Sequence, residues 1–347
     1  MTTPHTAERL VRFATDLLAA GGLPPDRASI VAEVLVEADL LGHDTHGLHL
    51  LAGYLNALAD GKLTADGHPD IVSETPVALT WDGRYLPGPW LVCEAMRAAE
   101  AKLAGQGMAA VSIRRSHHIA CLAAYLKRAT DKGLIMLLAS SDPFSGSVAP
   151  FGGLKGVYTP NPLAAGIPTS GDPIMLDVSM SITTNGMSGR VAAEGSRLPG
   201  KWLQDAKGAP TDDPAVLDAD EPGSLLPIGG QDYGHKGFAL GLLIEALTSA
   251  LAGKGRADGS DRWGASVLVL LIDPKAFGGS EAFVRETGWL ADACRAVPPK
   301  DPARPVRLPG ERGLRRRETQ LASGVDLHPG ILPALRPWAD RLGVPMP

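Results

Sequence analysis

From about Val77 to Pro298 the chain alternates short apolar runs with amphipathic, helix-length stretches, and this alternation constrains the fold more than any other feature. MAAVSIRR, IACLAAYLKRATDKG, LIMLLASS, LAAGIPT and PIMLDVSM follow one another, and SVLVLLIDP supplies a further buried strand. Strand-length apolar runs separated by helices indicate a helix-covered sheet, hence an α/β architecture. A Gly-, Pro- and Asp-rich crossing, roughly residues 195 to 230, precedes QDYGHKGFALGLLIEALTSALAGKG, a strong helix with an apolar stripe.

The two ends read differently. AERLVRFATDLLAAGG stops at Gly21 and Gly22, and PPDRASIVAEVLVEADLLG restarts with proline in the first turn, where its missing N–H costs nothing. Leu48, Leu51, Leu55 and Leu58 then recur at helical spacing, and the pattern predicts Thr45 as N-cap of a third helix. After Pro298 a Pro- and Arg-rich connection leads to a final helix at LPALRPWADRLG. The expected organisation is an N-terminal helical part over 1–75, an α/β cofactor-binding domain over 76–297, and a C-terminal part over 298–347 that packs back on the first helices. At 347 residues the chain is long enough for a proper core without a disulfide or metal staple.

Charge narrows the partners. With 33 basic against 38 acidic residues the net charge is -5, which provides no basic surface for nucleic acid or anionic lipid. Small-molecule chemistry is the expectation, with no nucleic-acid and no membrane partner. Cys93, Cys121 and Cys294 form no C-x-x-C pair and suit a reducing compartment. MTTPHTAERL has no positive-then-apolar leader pattern, so a cytoplasmic location is expected.

LGHDTHGLHLL places His43, His46 and His49 at every third position. On one helix the outer two would lie about 120° apart and about 9 Å along the axis, so three imidazoles would not converge on a metal. H-E-x-x-H is also absent, and no metal is expected. Proton transfer asks for less: one histidine beside a hydroxyl and a small residue, which Thr45, His46 and Gly47 provide, Gly47 leaving room for a ligand. From this segment alone His46 reads equally as a polar residue at a helix start. Ser116, His117 and His118 follow a strand-like run, a position where α/β proteins place chemistry, and at most one of the two imidazoles should face a site.

Cofactor motifs of the ordinary kinds are missing. GKGRADG follows a helix rather than a strand, and GGLKG is not a P-loop. GGQDYGHKGFALG joins a glycine-rich turn to a helix and adds Lys236, which suits either phosphate binding or a solvated lysine.

Taken in order along the chain, ADLLGHDTHGL, SHHIACLAAYL, VAPFGG, TPNPLAAGIP, IMLDVSMS, LPGKWLQDAKGAPTDDP, LPIGGQDYGHKGFAL and LPGE resemble the malate/L-lactate dehydrogenase family of NAD(P)-dependent oxidoreductases. This family is unrelated to the Rossmann lactate dehydrogenases and includes ureidoglycolate, sulfolactate and diketogulonate oxidoreductases. The resemblance implies a mixed-sheet, non-Rossmann dinucleotide-binding domain plus a helical domain formed by both chain ends, assembled as a homodimer with sites near the subunit interface. It implies His46 as proton donor with Thr45 as its hydroxyl partner, or His118 in that role. It further implies cofactor contacts from Asp177, Val178 and Ser179, from His235, Lys236 and Gly237, from Ser140 or Ser141, and from Gly310 and Glu311.

Two positions depart from the family pattern. Many members carry arginine four residues after the first histidine, suited to gripping a substrate carboxylate, where this chain has Leu50. Some use an acid where this chain has Met187 after Gly186. The expected reaction is hydride transfer between NAD or NADP and a small 2-hydroxy or 2-oxo carboxylic acid, with histidine as general acid/base. Rival expectations are a cyclic imino acid reductase, a metal-dependent hydrolase or lyase using His43, His46 and His49, and a catalytically silent dinucleotide-binding protein.

Overall fold

The computed structural model describes residues 5–260 and 262–347. Seven strands form one mixed sheet: β1 (Asp70–Glu74), β2 (Ala78–Asp82), β3 (Met108–Ser116), β4 (Ile135–Ser141), β5 (Leu163–Ile167), β6 (Ile174–Val178) and, after three short strands, β10 (Ala265–Ile272). The short strands β7 (Leu203–Gln204), β8 (Pro210–Thr211) and β9 (Ser224–Leu225) make a small sheet of their own. The large sheet has the order β1-β2-β3-β10-β4-β5-β6, with β2 and β3 parallel and every other neighbouring pair antiparallel. The mixed sheet expected from the family resemblance is therefore present.

β10, ASVLVLLI, lies at the centre because both its faces are covered, and its alternation assigns them. Val267, Val269 and Leu271 enter the main core, while Leu268 packs in a smaller cluster with Ile244 and Met180. At one edge β1 is exposed throughout and carries Asp70 and Glu74, charges that discourage further strand pairing.

Ten helices accompany the sheet among the described residues: α1 (Ala7–Ala20), α2 (Pro25–Leu41), α3 (Leu51–Ala59), α4 (Gly88–Lys102), α5 (Ala123–Thr130), α6 (Asn185–Ala193), α7 (Gly230–Glu245), α8 (Ser280–Arg295), α9 (Glu311–Ser323) and α10 (Ile331–Leu342). The chain ends pack together: α9 lies on α2, and α10 on α1 and α3. Arg317 pairs with Glu37 at 2.6 Å, and the buried Gln320 amide donates to the carbonyls of Asp39 and Leu40 at the end of α2. Carbonyls in a last helical turn lack the usual intrahelical donor; the capping Gly42 amide reaches the Asp39 oxygen at 3.0 Å, and a side chain from the other end of the chain serves both. One continuous core joins Leu10 of α1, Val111 of β3 and Leu335 of α10. No helix is long and apolar enough to cross a membrane among the described residues.

Candidate active site

The strand directions put the site where it is. β3, β4 and β6 run the same way, opposite to β5 and β10, so the last residues of the first three meet the first residues of the other two at one edge of the sheet. The connections leaving that edge surround a cavity of about 590 Å³. Its wall is built from the loop after α2, the β3–α5 turn, the end of β4 and the stretch from Asp177 to Met187, with Trp202 and Trp263 completing it. Thr45, His46, His118, Ser140, Asp177 and Ser179 all lie on this wall.

His46 sits in a turn rather than in the first turn of a helix. α2 ends at Gly42 in the left-handed region (φ 87°), the His46 amide donates to the His43 carbonyl at 2.9 Å, and a short 3₁₀ turn, Leu48–Leu50, leads into α3. Thr45 is consequently not the helix cap that the spacing predicts. Its hydroxyl lies 2.8 Å from His46 Nδ1 instead. The cap's role falls to Asp39, whose Oδ2 accepts the Leu48 amide at 2.8 Å. Asp39 also corrects the reading of Gly47: the space that a side chain there would take is filled by the Asp39 carboxylate, not kept open for a ligand. Burial depresses the His46 pKa below its usual 6.5, with Asp177 opposing and His43, His49 and Arg190 reinforcing the shift.

His118 is held by fixed partners. Its Nδ1 accepts the Ala120 amide at 3.2 Å and lies 3.0 Å from the hydroxyl of buried Tyr54, which is also 3.1 Å from the His118 carbonyl. The ring stacks on Trp263 with centroids 4.6 Å apart and stands 6.0 Å from the His46 ring. Burial, aided by His46 and His117, pushes its pKa well below 6.5. Because a backbone amide can only donate, the neutral ring must carry its proton on Nε2. His117 is buried away from the wall against Tyr54 and Trp263, and burial lowers its pKa to about 3.

Asp177, at the end of β6, accepts the Ala123 amide at the start of α5 at 2.8 Å, with Cys121 Sγ at 3.6 Å. Burial and the neighbouring carboxylate push the Cys121 thiol well up, so it stands beside Asp177 as a protonated donor. Ligand-type atoms of His43, Cys121 and Asp177 lie within 4.8 Å of one another. This is the group of three that converges among the described residues, in place of the His43, His46 and His49 series that the sequence spacing brings forward.

Val178, His235, Lys236, Gly237, Gly310 and Glu311 lie off the cavity wall, whereas Ser141 is on it beside Ser140. Val178 is nearly half exposed and pairs with Leu163. His235 packs against Phe151, Lys236 lies 5.2 Å over the Tyr233 ring, and Gly237 is buried against the Ile228 backbone, all three on α7. Gly310, with φ 87°, abuts Met175 of β6, where an added Cβ would fall 2.6 Å from the Met175 Cβ. Glu311 accepts from the Leu308 amide at 3.0 Å and Arg295 at 2.9 Å. Ser141 bonds the hydroxyls of Thr248 and Ser249, which leaves Ser140 as the less committed of the two serines.

Asp39, Tyr54, Trp263 and Arg190 escape a reading by motif. Arg190 reaches from α6 to Asp44, with Nη1 2.8 Å from Oδ1 and Nη2 3.2 Å from the backbone oxygen. Ser140, Ser179 and Thr183 are hydroxyl residues on the wall, and the buried Thr183 Oγ1 has no hydrogen-bond partner in the protein. Neutral donors and acceptors of this kind suit a nicotinamide carboxamide and ribose.

The family model described as malate/L-lactate dehydrogenase matches residues 5–336. An L-lactate dehydrogenase from Cupriavidus necator is 31% identical over 353 residues, covering 97% of each chain. A Δ1-pyrroline-2-carboxylate reductase from Ancylobacter novellus is 30% identical, covering 94% of each. The solved malate dehydrogenase of Pyrococcus horikoshii superposes with a TM-score of 0.89 at 25% identity, over 99% of this chain and 97% of that one. Motif order, sheet topology and these matches agree, and the chain belongs to the malate/L-lactate dehydrogenase family of oxidoreductases.

Proposed function

We propose that this protein interconverts 2-oxo and 2-hydroxy carboxylic acids with NAD or NADP, and that His46 is the group that moves the proton. The observation that carries the reading is the unequal bonding of two histidines on one wall. His118 Nδ1 faces a backbone amide, an obligate donor, so a second proton there would break that bond. His46 Nδ1 faces the Thr45 hydroxyl, whose oxygen can accept an Nδ1 proton from both the neutral and the charged ring, so that Nε2 is left to gain and lose the exchanged proton. His46 is thus free to cycle between protonation states, while His118 presents Nε2–H as a fixed donor that orients a substrate oxygen.

When bound, the nicotinamide supplies or removes hydride. The chain's own residues do the rest. Ser140 and Ser179 orient the cofactor, Asp177 holds the start of α5 in register with His46, and the two tryptophans limit water. Lys236, on exposed α7, contributes to dinucleotide binding in a homodimer assembled through that helix. A cyclic imino acid would fit the same proton donor, and the pyrroline-2-carboxylate reductase relative supports including such substrates.

Thermal unfolding with NADH or NADPH, followed by loss of reduced-nicotinamide absorbance with a panel of 2-oxo and cyclic imino acids, tests the reading. A rise in Tm with one dinucleotide and turnover of at least one 2-oxo acid are expected. No shift with either dinucleotide would remove the proposal; a shift without turnover would leave a silent binding protein.

A further inference from the structure

Resting on the 2-oxo acid reading, we infer that the substrate is a monocarboxylate with a large apolar side chain, branched aliphatic or aromatic, and not a dicarboxylate or sulfonated acid. The charge on the wall argues first. Among the described residues no lysine or arginine lines the cavity, and Leu50 lies on the wall four residues after His46. The guanidinium of Arg190 is committed to Asp44 through both terminal nitrogens. Of the wall histidines, His46, His49 and His118 are all shifted toward the neutral form by burial. His43, Cys121, Asp142 and Asp177 are the other ionisable residue types on the wall. A second anionic group on a substrate would lose water and gain no lysine or arginine counter-charge.

Shape argues next. Leu50, Ile119, Ile182, Met187, Trp202 and Trp263 supply apolar surface to the same cavity. Met187 adapts its shape readily, and Trp263, stacked on His118, lies next to the reacting region.

The single carboxylate still needs a partner, and the start of α6 provides one without a formal charge. Thr184 Oγ1 already accepts the Met187 amide at 3.2 Å, so the amides of Asn185 and Gly186 are the helix donors left over. Thr183, whose buried hydroxyl has no hydrogen-bond partner in the protein, precedes them in the chain and lines the same cavity. A Cβ built on Gly186 would lie 3.9 Å from both His46 Cε1 and Thr45 Cβ. A carboxylate held at this helix start therefore sets the adjoining carbonyl beside His46.

Steady-state kinetics of the whole protein with its preferred reduced dinucleotide test this with phenylpyruvate, 2-oxo-4-methylpentanoate, pyruvate and oxaloacetate. kcat/KM for the two apolar acids should exceed that for oxaloacetate by roughly tenfold or more. Leu50→Arg should raise kcat/KM for oxaloacetate and lower it for the apolar pair. Thr183→Val should raise KM for every monocarboxylate by about tenfold, the loss of one hydrogen bond to a charged group. Oxaloacetate equal to or better than the apolar acids in the unaltered protein would overturn the inference while leaving the 2-oxo acid reading intact. No turnover of any acid with either dinucleotide would overturn both.

Discussion

The carboxylate of Asp39 fills the space beside Gly47 that any larger residue would need, and it holds the following amide, that of Leu48, at 2.8 Å. His46 is thereby fixed from below: its peptide leads into a glycine that cannot gain a side chain without displacing a buried acid. Gly47→Ala should cost about 1–3 kcal/mol, as overpacking does in a filled interior, because the turn must lift off α2. Since the turn carries His46, kcat should fall at least tenfold while dinucleotide affinity changes less. Melting temperature and steady-state kinetics check this, and a variant with the stability and kcat of the parent would show that the contact does not position the histidine.

The same acid gives stability a pH dependence. Burial pushes the Asp39 carboxyl up from 3.8 to about 7, with the Leu48 amide opposing and Asp44 reinforcing the shift. Between those values the folded chain keeps a proton that the unfolded chain has released. The contribution is complete below the unfolded value, is lost as pH rises toward about 7, and does not return above it. The slope for one such group is about 1 kcal/mol per pH unit within the window. Asp39→Asn removes the titration but leaves an amide in a buried place, so its absolute stability is less informative than its slope. Denaturant unfolding from pH 4 to 8 should show the parent losing ground relative to the variant as pH rises. A constant difference across the range would mean that Asp39 does not titrate in the folded chain.

For the two histidines the expected signatures differ. Hydroxy acid oxidation needs neutral His46, and burial lowers its pKa below 6.5. The kcat/KM for oxidation should therefore rise to a plateau already reached near neutrality, and that for reduction should decline as pH rises through the same inflection. His46→Gln should lose about 10²- to 10⁴-fold in kcat and abolish the inflection. His118→Gln, which keeps a donor, should lower kcat yet retain the inflection. If the inflection disappears with His118 and survives loss of His46, the roles are reversed.

Legibility in the sequence followed locality. Strands β3, β4, β5, β6 and β10 stood out because each is a short apolar run bounded by turn residues, and most of the cavity wall hangs from their ends. α4 and α6 did not stand out: the first opens on Gly-Pro, which reads as loop, and the second holds two glycines in nine residues. Motif order marks out the two candidate histidines, but what holds them is not legible in it. Tyr54 and His118 are 64 positions apart, and Asp39 looks from sequence like one more acid of α2 beside Glu33 and Glu37. Thr45 was misread as a cap because a threonine before an apolar helical pattern has that appearance, whereas a buried carboxylate from the preceding helix had taken the task.

Helix α7 and its extension present an exposed apolar stripe. Tyr233, Leu240, Leu243 and Leu251 recur on one side of it and are 61%, 44%, 49% and 56% exposed, while Gly234, Gly237, Gly241 and Ile244 pack inward. An apolar stripe of this length on a free surface is unfavourable, and a second copy of the chain presenting the same stripe would cover it with two-fold symmetry. Lys236 lies on that side, so pairing would carry it toward the partner. Sedimentation at micromolar concentration should give twice the mass of the chain, and Leu243→Glu, which places two like charges near the axis, should give the single mass. Dinucleotide affinity should fall with dissociation if Lys236 serves the pair. A parent protein that sediments as a monomer would exclude α7 as a dimer interface and would require the lysine to act, if it binds phosphate at all, within its own chain.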